Sequence, residues 1–143
     1  MSKKVLIVED EIFVALEIEQ IVEDAGFEVG AIAADKDAAL ACAQDCDIAL
    51  VDLNLRDGPT GPQIGMELSR HGIRVIYVTA NPAQIGEAAV AALGVITKPF
   101  RAQSISATLH LAAAEQPDLY ETDILGFTPF PPHDSWNAME SRG

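Results

Sequence analysis

Apolar residues along this chain fall into five short runs, at residues 5–8, 27–33, 48–52, 73–79 and 95–97, the second being the weakest. Each is followed by a stretch in which apolar or small residues recur every three or four positions. An apolar run without polar alternation reads as a strand buried on both faces, and the recurrence reads as one face of a helix. Residues 12–25 show it best, with Ile18, Ile21, Val22 and Ala25 on one face and Gly26 as the stop. Asp35 caps an Ala-rich helix over residues 36–44, and Pro62 sits in the first turn of a helix that ends before Gly72. Asn81-Pro82 opens a further helix, marked by Ile85, Ala88, Ala89 and Ala92 and closed by Gly94. The last helix covers residues 103–115, with Ile105, Leu109 and Ala112 inward and Pro117 beyond its end.

Strict strand–helix alternation requires a parallel sheet with helices on both faces, because each right-handed crossover returns the chain to begin the next strand in the same direction. Five such units predict an α/β, flavodoxin-like sheet of order 2-1-3-4-5, whose ligand crevice lies at the carboxyl ends of strands one and three.

Composition narrows the partners. In 143 residues, 49% of them hydrophobic, 22 acidic side chains face 9 basic ones, giving a formal charge of −13. Nucleic acid and anionic lipid would be repelled, which leaves proteins, small ions or small phosphorylated molecules. No apolar run approaches the roughly 20 residues that cross a bilayer, and no cleavage-site pattern follows Met1, so a cytoplasmic location is expected. Cys42 and Cys46, four apart on the expected second helix, read as small apolar residues rather than a disulfide or metal pair.

Parallel strands bring the residues that end the apolar runs to one edge: Glu9 and Asp10, Asp52, Thr79 and Lys98. Adjacent acids Glu9, Asp10 and Glu11 repel one another and call for a compensating positive charge or cation. Mg²⁺ prefers an octahedron of hard oxygens, which Asp10 and Asp52 supply, with Glu9 and the backbone carbonyl of Asn54 as further candidates. A carboxylate beside such a cation can attack phosphorus, provided the charge on the transferring oxygens is met from several sides; Lys98 offers a positive charge and Thr79 a hydroxyl.

With these residues the sequence resembles the receiver domain of bacterial two-component response regulators, the family typified by the single-domain chemotaxis regulator. The resemblance rests on Glu9-Asp10, Asp52, Thr79-Ala80 and Lys98-Pro99-Phe100, and spans residues 3–115. It implies that Asp52 is the phosphoacceptor, that Glu9 and Asp10 hold Mg²⁺, that Lys98 contacts the phosphoryl group, and that Thr79 hydrogen-bonds it and moves on activation. It also implies a frequent cis bond at Lys98-Pro99.

Two departures matter. Where receivers carry an aromatic residue three positions before the lysine, this chain has Val95, a stiff β-branched side chain. Tyr77, two residues before Thr79, and Phe100 are the candidates to take over the switching role; the alternative is that both only pack. Arg56 replaces a common proline, and residues 57–61, DGPTG, read as a flexible, hydrophilic rim. Asn54 and Asn81 stand two residues past the acceptor and the threonine, where receivers tune phosphoryl loss, and both are uncharged.

Residues 1–116 therefore read as the receiver domain and residues 117–143 as a tail without an output domain. That tail is punctuated by Pro117, Pro129, Pro131 and Pro132, yet holds Tyr120, Phe127, Phe130 and Trp136, with Ile124 and Leu125. Residues 120–130 are expected to dock on their own domain or on a partner while the last residues fray; a disordered extension is the alternative.

The resulting expectation is a regulator phosphorylated on Asp52 by a sensor histidine kinase, signalling through protein contact or through a histidine phosphotransfer protein or downstream regulator. It assists its own phosphorylation and dephosphorylation but acts on no external substrate. A phosphorylation-independent pseudo-receiver scaffold is one alternative. An aspartyl-phosphate phosphohydrolase is another, disfavoured because Asn54 stands where such enzymes want a second acid.

Overall fold

The computed structural model describes residues 3–115 and 123–131. Strands β1 (Lys4–Val8), β2 (Glu28–Ala33), β3 (Ile48–Val51), β4 (Arg74–Thr79) and β5 (Ala92–Thr97) form the parallel part of the sheet. Helices α1 (Ile12–Asp24), α2 (Lys36–Cys42), α3 (Gly61–Arg70) and α4 (Ala102–Ala113) cover its faces. The order is β2-β1-β3-β4-β5, the flavodoxin-like arrangement expected from the alternation.

A sixth strand, β6 (Phe127–Pro129), adds antiparallel to the free edge of β5. It comes from the segment expected to dock, and its site is the protein's own sheet. Tyr120, Trp136, Pro117, Pro132 and the expected fraying of the last residues lie outside the described residues.

Period-two alternation divides the core. Leu6, Val8, Val51, Ile64, Leu68, Tyr77 and Val95 pack on the α2–α3 side, and Val5, Ile7, Ile18, Val22, Leu50, Ile96, Ile105 and Leu109 on the α1–α4 side. Both faces of β1, β3, β4 and β5 are therefore dry over most of their length, which is why these strands read as apolar runs, whereas the edge strand β2 is partly exposed and reads more weakly.

Four local expectations differ from the structure. The region after Asn81-Pro82 is not a regular helix but two 3-10 segments, Pro82–Gln84 and Gly86–Ala91, closed by i to i+3 bonds such as Ala88 N–H to the Ile85 carbonyl. Gly86, with φ 55°, stands at their junction and interrupts the helical path. β5 then starts at Ala92, three residues earlier than expected, because Ala92 pairs with Val75. Helix α2 stops at Cys42, so Cys46 lies beyond it in the loop, half-buried against Gly30. The rim after Asp52 is tied down: Asp57 accepts bonds from the Lys36 N–H (3.1 Å) and the Thr60 hydroxyl (2.7 Å), and the Arg56 N–H donates to the Ala34 carbonyl. Those bonds hold the Asp57 carboxyl below its ordinary pKa.

Candidate functional site

The carboxyl ends of β1, β3, β4 and β5 meet at one edge of the sheet, and their terminal residues define the site. Glu9 follows β1 and is almost wholly enclosed. Its Oε1 accepts from Lys98 Nζ at 2.7 Å, and its Oε2 accepts from the Glu11 N–H at 3.2 Å, at the start of α1. Asp52, directly after β3, is 9% exposed; its Oδ1 accepts from the Leu53 N–H at 2.7 Å and its Oδ2 from Lys98 Nζ at 3.0 Å. A carboxylate has about four acceptor positions, so both Asp52 oxygens retain capacity for a further partner.

Gly61, the first residue of α3, lets the loop close tightly behind Asp52. Its N–H donates to the Leu53 carbonyl at 3.0 Å, and a Cβ there would fall on the Asp52 carbonyl and the Leu53 Cα. Lys98 is bracketed as well, since its N–H donates to the Thr79 carbonyl at 2.9 Å and its peptide bond to Pro99 is cis.

Charges explain the arrangement. One oxygen from each of Glu9, Asp10 and Asp52 lies within 4.8 Å of the others, while among the described residues a single ammonium, that of Lys98, contacts two of these groups. Three negative charges against one positive leave a deficit of two, which a divalent cation would meet. Burial holds the Glu9 carboxyl above its ordinary pKa, with the nearby Asp52 charge adding to the effect and Lys98 opposing it. For Lys98, burial alone would lower the pKa, but its bonds to Glu9 and Asp52 outweigh that and raise it.

The edge thus brings together Glu9, Asp10, Asp52 and Lys98. Thr79, fully buried at the end of β4, accepts through Oγ1 from the Asn81 N–H at 3.0 Å. Asn54 is exposed, and its amide donates to Gln84 Oε1 at 3.0 Å, joining the loop after Asp52 to the 3-10 run after Thr79. Gln84 had no signal in the sequence, because a lone exposed amide shows its partner only in three dimensions.

The remaining sequence candidates sit in the core or pack against it. Tyr77 and Val95 are register neighbours on β4 and β5. The Tyr77 ring is enclosed against Gly65, its hydroxyl donates to the Ala88 carbonyl at 3.1 Å, and burial raises its pKa. Phe100 packs with the α1–α4 cluster, on the other face of the sheet from Val95.

The fold has counterparts among known proteins. The phyllosphere-induced regulator PhyR of Methylorubrum extorquens is 31% identical over 118 residues, covering 78% of this chain but 44% of that protein. The solution structure of the PhyR receiver domain from Erythrobacter litoralis superposes with a TM-score of 0.73 at 25% identity, covering 82% of this chain and 95% of that one. A CheY-like receiver domain protein from Methanospirillum hungatei gives 0.67 at 26% identity, with 77% and 92% covered. This chain spans less than half the length of the curated relative it matches. The match to the response regulator receiver domain covers residues 5–124, and the chain belongs to that family.

Proposed function

We propose that this protein accepts a phosphoryl group on Asp52 from a sensor histidine kinase and signals by protein contact or by onward transfer to a histidine phosphotransfer protein. The observation that carries this reading is the packing of three carboxylates within 4.8 Å of one another, two of them bound to one lysine, at the crossover edge of the sheet.

In the proposed step an Asp52 carboxylate oxygen attacks the phosphorus of a phosphoimidazole. The new O–P bond forms as the P–N bond breaks, and the imidazole leaves with the bonding pair. The Lys98 ammonium offsets the charge on the transferring oxygens, and the Thr79 hydroxyl, whose oxygen already accepts from Asn81, keeps its proton available to donate. Glu9, Asp10, Asp52 and the Asn54 carbonyl are the groups to hold Mg²⁺, which when bound neutralises phosphoryl charge and suits an all-oxygen set. The domain acts on itself and has no external substrate in this reading.

Ile12, Phe13 and Leu16 support a protein phosphodonor. They are 57%, 84% and 46% exposed on the first turns of α1, next to Asp10 at the rim of the site, where an apolar partner surface would cover them. Among the described residues no helix is long and apolar enough to cross a membrane.

Intact mass after incubation with acetyl phosphate, with and without Mg²⁺, tests the reading on the wild type and on Asp52→Ala. A Mg²⁺-dependent phosphoryl adduct absent from the variant is expected. Its absence from the wild type, with a cognate kinase also supplied, would favour the phosphorylation-independent scaffold.

A further inference from the structure

We propose that β6 is a working part of the phosphoryl site: through Gly126 and Phe127 it fixes the carboxyl end of β5 and so positions Lys98. This rests on the phosphoacceptor reading and deepens it.

β5 ends at Thr97, one residue before Lys98. On its inner side the Lys98 N–H is bonded to the Thr79 carbonyl of β4. On its outer side the Thr97 N–H donates to the Gly126 carbonyl at 3.1 Å, and the Phe130 N–H donates to the Leu93 carbonyl at 2.9 Å. Take β6 away and β5 becomes an edge strand, with an unpaired outer row of backbone groups and one flank free to splay. The tail also reaches the far side of the lysine. Ser104, in the first turn of α4, donates its hydroxyl to the Leu125 carbonyl at 2.5 Å. Residues 98–103, which carry Lys98, are therefore held at both ends by the same tail segment.

Phe127 is the anchor. Its ring is buried over Gly94, where a Cβ would lie 2.6 Å from two of the ring carbons and would strike the Thr128 carbonyl. All three nearest neighbours of that Cβ belong to the tail, so the bare position at 94 serves the docking of β6. Accurate placement matters because Lys98 Nζ spans two carboxylates, at 2.7 and 3.0 Å, and a small displacement of the β5 end breaks one of these bonds.

Gly126 and Phe127 are positioning residues in this scheme, acting through Lys98. The test is the rate of Asp52 adduct formation with acetyl phosphate and Mg²⁺, followed by intact mass on the full chain. Gly94→Ala, which blocks the seat, and Phe127→Ala, which removes the anchor, are each expected to slow it about three- to tenfold, less than the roughly hundredfold cost of a 1 Å misplacement. Phe127→Leu, which keeps apolar bulk, is expected to restore most of the rate. In a Lys98→Met background, adding Gly94→Ala is expected to leave the residual rate unchanged.

Wild-type rates in both Gly94→Ala and Phe127→Ala would overturn the proposal. So would an equal slowing by Gly94→Ala with and without Lys98, because the tail would then act on the fold at large. A wild type that forms no adduct would overturn the phosphoacceptor reading and this one with it; a normal wild-type adduct with unaffected variants overturns only this one.

Discussion

Replacing Lys98 by methionine removes, among the described residues, the only ammonium in contact with Glu9 and Asp52 while keeping the apolar stem. At 2.7 and 3.0 Å, and with an effective dielectric constant of about 20, each ion pair is worth roughly 6 kcal/mol in gross Coulomb energy. Most of that is offset by desolvation, since taking each ion out of water costs several kcal/mol. What the variant suffers is the penalty of leaving two enclosed carboxylates uncompensated, about 3–5 kcal/mol for a fully buried pair. The Lys98 side chain keeps 17% exposure and Asp52 11%, and Glu9 can escape by taking up a proton, so we expect about 3 kcal/mol at neutral pH without divalent cations. For a domain of this size that lowers Tm by roughly 10 °C. The assay is thermal unfolding followed by circular dichroism in EDTA, then in millimolar Mg²⁺, which is expected to return a large part of the loss. Adding Glu9→Gln to Lys98→Met is expected to stabilise the single variant, because it deletes one of the orphaned charges. A Tm within about 2 °C of wild type in EDTA, or a double variant less stable than the single one, would refute the account of Lys98 as the charge that holds this edge together.

Four further outcomes are expected. The raised Glu9 pKa means the folded protein binds a proton that the unfolded chain releases near the ordinary value of 4.5, so stability falls as pH rises from there through the folded value; in EDTA, Glu9→Gln should flatten the fall of Tm as pH rises above 4.5. Tyr77→Phe strips the Ala88 carbonyl of its donor and should cost about 1 kcal/mol by urea unfolding, while the phosphorylation-induced amide shifts around Thr79 persist; loss of those shifts would give Tyr77 the switching role. Gly61→Ala pushes a Cβ onto the Asp52 carbonyl and should destabilise by about 2 kcal/mol while slowing adduct formation at Asp52. Truncation after Gln116 exposes the Phe127 seat and should remove about 2 kcal/mol, seen as a lower denaturation midpoint; an unchanged midpoint would mean that β6 contributes nothing to stability.

The parallel sheet and its edge were legible because a strand buried on both faces is written as a mostly apolar run that gives way to a charged residue. Val8 gives way to Glu9, Val51 to Asp52, and Thr97 to Lys98, so the same signal that locates each strand also names the side chain at its mouth. Topology then brings Glu9, Asp52 and Lys98 together, although up to 89 residues separate them along the chain.

Local pattern failed where a longer-range interaction decided the conformation. Ile85, Ala88, Ala89 and Ala92 keep a helical spacing, but Gly86 breaks the path and Ala92 is drawn into β5 by pairing with Val75. β6 has only three residues, too few to carry a periodicity, and Pro129 reads as a strand breaker. It exists because β5 presents an open edge and Gly94 leaves room for the Phe127 ring. The parallel sheet, its order and the acidic edge could be read from the order of residues alone, since they follow from burial and alternation repeated along the chain. The sixth strand, the Asn54–Gln84 contact and the clamp around Lys98 emerge on folding, because each depends on the meeting of segments that carry no mark of one another.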